Sequence, residues 1–139
     1  MARPKAPDPA IGVWKLNFAK SIFKLTPAPQ SYVLKCESWN DGLKASADIV
    51  DDQGTRRRPE VAYKLDGNDY PVKGSPLADT ISVRQIHERG TDITWKKDGK
   101  VVFISRNVVS PDGRTYTVTR TKTDAQGQSM NDVLVLEKQ

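Results

Sequence analysis

The chain has one cysteine, one histidine and two methionines in 139 residues, and each scarcity excludes something. Cys36 alone closes no intrachain disulfide, so the fold rests on its core, and a single thiol assigns no redox compartment. His87 alone builds no multi-histidine zinc site, and no partners for a hydrolytic triad are evident around it. No metal site and no cofactor are expected. Long hydrophobic runs are missing too: nothing approaches the roughly 20 apolar residues of a membrane helix, and the segment from Met1 to Ala10 lacks the apolar stretch of a signal peptide. The expectation is a soluble chain without a membrane span, periplasmic or secreted if an export signal has been removed and otherwise cytoplasmic. Sustained helical periodicity is also lacking, which excludes a βαβ architecture.

What the sequence has instead is alternation and turns. Its length suits one domain, which buries roughly two thirds of the surface its unfolded chain exposes. Residues 1–10, with Pro4, Pro7 and Pro9, read as a flexible arm ahead of a single domain at 11–139. Gly12-Val13-Trp14-Lys15-Leu16-Asn17 opens the first strand, with the indole at the base of the core. Asn17 to Pro29 is a connector in which Phe18, Ile22, Phe23 and Leu25 close one end as a helical turn or coil, stopped by Pro27 and Pro29. Tyr32, Leu34 and Cys36 share one face. Leu43, Ala45, Ala47 and Ile49 share another, beyond the hairpin turn Asn40-Asp41-Gly42.

Further strands follow at Val61 to Leu65, after the polar loop Asp51 to Pro59, and at Ile81 to Gln85, after a longer loop, Gly67 to Ala78. Ile93 and Trp95, Val101 to Val109, Tyr116 to Arg120 and Val133 to Leu136 complete the series, with the threonines at 115, 117, 119 and 121 on an outer face. About nine strands with short connections predict an all-β, antiparallel up-and-down β-barrel, closed or nearly closed. A two-sheet sandwich or a flattened open sheet is the competing architecture.

The interior is where a function has room. Its inferred inner rows place Tyr32, Cys36, Tyr63, Gln85, Trp95, Tyr116 and Arg120 as candidate ligand-binding residues. The small residues Ala45 and Ala47 suit either a cavity or a closer approach of the opposite wall. If Arg120 points inward it requires a partner, because desolvating an unpaired cation is costly; Glu137, Asp132, a carbonyl or an anionic ligand would serve. Cys36 reads as core filler, and His87 as structural or solvent-exposed.

Asp51-Asp52 and the pair Asp66 and Asp69 lie in turn-rich sequence where aspartate caps its own backbone, without calcium-loop spacing. The excess of 22 Lys+Arg over 17 Asp+Glu is modest. Arg56-Arg57-Arg58 reads as a solvated hairpin tip. Nucleic acid is not an expected partner, since Trp39, Tyr63, Trp95 and Tyr116 are placed largely on inner faces rather than on an outer stacking platform.

The opener, with Ala19-Lys20-Ser21 and Pro27-Ala28-Pro29 behind it, resembles the start of a largely uncharacterised family of small bacterial lipocalin-like (calycin-type) proteins. Leu65 to Val72, Ala78-Asp79-Thr80-Ile81-Ser82 and Thr123 to Gln128 are similar as well, so the likeness covers nearly the whole chain. It implies a β-barrel more firmly than an activity. In the wider calycin group the Gly-x-Trp opener packs near an arginine from a late strand, which the resemblance places at Arg120. Intracellular fatty-acid-binding proteins share the opener but often end in an Arg-x-Tyr pair; this chain has Leu134-Val135-Leu136-Glu137, so their ligand chemistry is not carried over.

Taken together, the sequence predicts a non-enzymatic protein that binds or sequesters a small, mostly apolar molecule, with Arg120 as an anion anchor. Two alternatives stand beside it. One is a protein-interaction or inhibitor module with a filled core, using the loops Asp51 to Pro59 and Gly67 to Ala78; the other is a cofactor-free cyclase or isomerase with a barrel pocket.

Overall fold

The computed structural model describes residues 8–139. Its strands are β1 (Gly12–Leu16), β2 (Ile22–Phe23), β3 (Ser31–Trp39), β4 (Gly42–Val50), β5 (Arg56–Arg57), β6 (Glu60–Tyr63), β7 (Asp66–Pro71), β8 (Thr80–His87), β9 (Gly90–Lys97), β10 (Lys100–Val109), β11 (Thr115–Thr123) and β12 (Ser129–Lys138), with one 3₁₀ turn at Phe18–Lys20. Tight turns set the register. Asn40, at φ 47°, turns β3 into β4, while Asp98 and Gly99, at φ 52° and 78°, turn β9 into β10. Asparagine, aspartate and glycine are the residues that tolerate this left-handed region.

From β7 to β12 each strand pairs with the next. The last strand then takes β1 as its neighbour, and β3 and β4 follow. The far edge of β4 carries β6 against Leu43–Ser46 and β5 against Ile49–Val50. The result is an all-β antiparallel sheet that curls toward itself. Its two ends meet at a single bridge, Glu60 with Lys73, made of two 2.9 Å hydrogen bonds. The expected closure by a continuous ladder is therefore not present: the barrel is open along the seam between β6 and β7.

Three of the twelve strands escaped the sequence reading, and each for a physical reason. β2 and β5 have two residues apiece, too few for any alternation to register. All of β7 but Asp66 lies inside the stretch read as the loop Gly67 to Ala78, and its Asp-Gly-Asn-Asp composition disfavours strand. It forms because β8 supplies its ladder, with a bulge between Asp66 and Asp69 that absorbs Gly67 at φ 78°. Asp66 accepts from the Asn68 amide and the Tyr70 hydroxyl there, capping its own bulge.

The core divides into two clusters. One gathers Trp14, Leu16, Val109, Tyr116, Val118, Leu134 and Leu136; the other gathers Leu43, Val61, Tyr63, Val72, Ile81, Val83 and Ile93. Trp14 is completely buried. Its Nε1 donates to the Ala10 carbonyl at 2.9 Å, and its ring tilts against Tyr116 at 5.2 Å. Ala10 is itself buried and the Asp8 carboxylate accepts from its amide, so residues 8–10 belong to the domain. The rest of the arm lies outside the described residues.

The cation over Trp14 is Lys138, 5.6 Å from the ring, rather than Arg120. Trp14 pairs with Lys138 in register, whereas Arg120 pairs with Asp132, roughly 20 Å away at strand rise. Gly12, at φ 144°, makes room for this arrangement: a Cβ would come within 3.1 Å of Lys138 Cε. The threonines of β11 lie opposite the face that buries Tyr116 and Val118.

Trp14 to Ala removes the largest buried ring and a satisfied indole hydrogen bond. A loss of about 3–5 kcal/mol in unfolding free energy is expected, checked by urea denaturation followed by circular dichroism.

Candidate functional site

The site begins in the connector after β1. The Ser21 hydroxyl donates to the Asn17 carbonyl at 2.6 Å and accepts from the Val135 amide at 2.9 Å, which pins the 3₁₀ turn to β12. β2 then pairs with Asp132 and Val133. Past it the chain bends over the Asp132 carboxylate. Oδ1 accepts from the Lys24, Leu25 and Thr26 amides at 2.8, 2.6 and 3.2 Å, and Oδ2 from the Thr26 hydroxyl at 2.6 Å. Asp132 is completely buried. An ionised carboxylate is an acceptor only, and all four of these partners are donors.

Arg120 stands across from Asp132 in the β11–β12 ladder, on the same face of the sheet. Its side chain is 12% exposed, and Nη1 lies 3.9 Å from Asp132 Oδ2, inside electrostatic range but too far for a hydrogen bond. The guanidinium carbon sits 5.6 Å from the Phe103 ring centroid. Nε is buried with no hydrogen-bond partner among the described residues. Arg120 is thus held by charge and by an aromatic face, with donor capacity left over.

Above this pair opens a cavity of about 270 Å³. Its walls are mostly apolar, from Phe23, Pro27, Pro29, Tyr32, Ile49 and Leu134, and Arg120 is part of the lining. Thr26, Asp51, Asp52, Arg57, Pro59 and the Gly74–Leu77 loop form the remainder. Asp51 caps its turn by accepting from the Gln53 and Thr55 amides and faces Arg57 Nε at 3.3 Å. The Thr55 amide above all, with the Gln53 amide and Arg57, holds its carboxyl below the ordinary value. Arg56 forks onto Asp48 at 2.9 and 2.8 Å, and Arg58 Nε lies 4.0 Å from the same carboxylate, so all three consecutive arginines are in ion pairs.

Of the seven residues expected to line one ligand site, five divide between two separate spaces and two border neither. Tyr32 and Arg120 line the cavity. Tyr63, Gln85 and Tyr116 border a gap of about 10 Å³ elsewhere in the sheet, enough for about one water. Cys36 lines neither space. Trp95 is tied into the wall, its Nε1 donating to Ser105 Oγ at 3.0 Å and its ring 5.4 Å from Phe103.

Gln85 was expected on an inner face and is exposed. It keeps the face of buried Val83, in register with Thr91, but lies among the last four residues of β8, all of which are exposed. Trp39, three residues past buried Cys36, falls on the other face of β3 and is half-buried. His87 is exposed and accepts from the Arg89 amide at 3.2 Å. Of the connector's apolar residues Phe23 reaches the cavity, while Phe18 and Ile22 are exposed. The interior is neither hollow nor solid throughout: it is packed around Trp14 and open beside Arg120.

Burial pushes the Cys36 thiol up to about 12, and desolvation likewise raises the Tyr63 and Tyr116 phenols. These groups are therefore protonated near neutral pH and supply no thiolate or phenolate nucleophile. Among the described residues, no three histidine, cysteine, aspartate or glutamate side chains come together as a metal-ligating group, and no helix is long and apolar enough to cross a membrane. No family model, no curated protein and no solved structure matches the chain.

Two outcomes follow from these environments. Asp132 to Ala strips the acceptor from three amides and leaves Arg120 uncompensated; a loss of about 3–5 kcal/mol is expected in chemical denaturation. Cys36 keeps its proton in the folded state up to about pH 12, whereas in the unfolded chain it ionises near its ordinary value. Between those values the unfolded state binds fewer protons, so stability falls as pH rises, by up to about 1.4 kcal/mol per pH unit from this group. Urea midpoints from pH 8 to 10 should decline more steeply for the wild type than for Cys36 to Ala.

Proposed function

We propose that the protein is a lipocalin-like, non-enzymatic binder that takes a small, mostly apolar molecule into the cavity beside Arg120. The observation that carries this reading is the cavity itself: a mostly apolar recess of about 270 Å³ with Arg120 in its lining. Apolar walls with a few convergent polar groups are the usual composition of small-molecule sites. The volume lies just below the common range of about 300–1,000 Å³, which favours a compact ligand over an extended one. The strand order supports the lipocalin-like assignment, since an up-and-down series brings the first and last strands together.

The test uses the neutral fluorophore N-phenyl-1-naphthylamine. Micromolar uptake by the wild type is expected, weakened at least tenfold by Ile49 to Trp, which fills the cavity from its wall, and unchanged by Ile104 to Trp on the exposed surface of β10. An absence of uptake by the wild type, with this probe and with small aliphatic compounds in native mass spectrometry, would falsify the binding role.

A further inference from the structure

The polar end of the ligand follows from the charges around Arg120, given the reading of the cavity as a small-molecule site. A buried guanidinium needs both charge compensation and acceptors for its N–H groups. The structure supplies these unequally. Asp132 provides the opposite charge, 3.9 Å from Nη1, but accepts no hydrogen bond across that gap. Nor is it free to close in: its two oxygens are already held by three backbone amides and the Thr26 hydroxyl. Arg120 is therefore balanced in charge and deficient in acceptors, with Nε buried and unpartnered among the described residues.

The rest of the cavity adds no positive excess. Its charged lining is Asp51, Asp52, Arg57 and Arg120, formally neutral, and Asp132 behind Arg120 makes the surroundings net negative. Arg57 is already matched to Asp51. A carboxylate placed on Arg120 would share one cation with the buried Asp132, and two anions within a few ångströms of each other repel. A neutral acceptor answers the missing hydrogen bond without that cost.

We infer that the ligand's polar group is a neutral carbonyl, such as a ketone, ester or amide, that accepts a hydrogen bond from the Arg120 guanidinium, and that the cavity discriminates against carboxylates. Arg120 is then a specificity-determining residue, and the anion-anchor role expected from sequence is replaced by donation to an uncharged oxygen.

A matched nine-carbon series tests this: nonan-2-one, nonanoate and nonane, each titrated at pH 7 into the full chain and followed by nuclear magnetic resonance, with native mass spectrometry as a second measure. The ketone should bind most tightly, about tenfold or more ahead of nonane, as expected for a hydrogen bond to a charged donor. Nonanoate should be weaker than the ketone. The Arg120 Nε–H resonance should move with the ketone and stay in place with nonane.

Arg120 to Met should erase the difference between ketone and nonane while nonane still binds. If that variant does not fold, the wild-type ranking and the Nε–H shift decide the matter alone. Nonanoate equal to or tighter than the ketone overturns the inference, as does a ketone no better than nonane; in both cases the cavity remains a binding site. Failure of all three to bind removes the small-molecule reading and this inference with it.

Discussion

The buried carboxylate of Asp132 organises the open end of the molecule. It gathers the Lys24, Leu25 and Thr26 amides and the Thr26 hydroxyl, and so fixes the path of the connector after β2. It also lets Arg120 sit inside the sheet by compensating a charge that would otherwise have to reach solvent. Without that anion the Lys24, Leu25 and Thr26 amides lose their acceptor, and the bend that carries the chain from β2 to Pro27 and Pro29 on the cavity wall loses its anchor.

The packed and open regions of the interior follow from what each offers to fill space. Around Trp14 an indole, a tyrosine and several branched aliphatics interlock, and the polar atoms of the rings find partners within the fold: the Ala10 carbonyl for the indole and the Asn107 amide for the Tyr116 hydroxyl. Beside Arg120 the walls are prolines, Ile49, Leu134 and Tyr32. Prolines carry short, rigid rings that do not extend into the space between strands, and the guanidinium resists being covered by apolar atoms. A recess is the consequence. Two cations also have different work: exposed Lys138 lies over Trp14 at the sheet's packed region, and Arg120 over Phe103 beside the cavity.

Much of this was legible in the residues. Alternation gave the inner faces of β3 and β4, Tyr116 and Val118 of β11, and the Leu134 and Leu136 row, because a half-buried strand exposes its period directly. The Asn-Asp-Gly and Asp-Gly turns were readable because few residues adopt a positive φ. Asp132 carries the same signal, since it lies two residues before Leu134 and shares its face; sequence reasoning reached it only as one of several partners for Arg120. Gln85 keeps the face that alternation assigns it and is still exposed, because it lies at the exposed end of β8. That five of the seven inner-row residues border two separate spaces and two border neither was not readable, because alternation says which face a side chain takes and nothing of its depth.

The sequence by itself determined an antiparallel all-β chain with a buried tryptophan near its start, since those features depend on local periodicity and turn chemistry. Only the tertiary structure decided that the sheet stays open between β6 and β7, that Lys138 rather than Arg120 covers Trp14, and that Arg120 meets a carboxylate already held by backbone amides. Each of these depends on contacts between residues far apart in the chain, whose distances are set when strands twist and curl together, and no local pattern encodes that geometry.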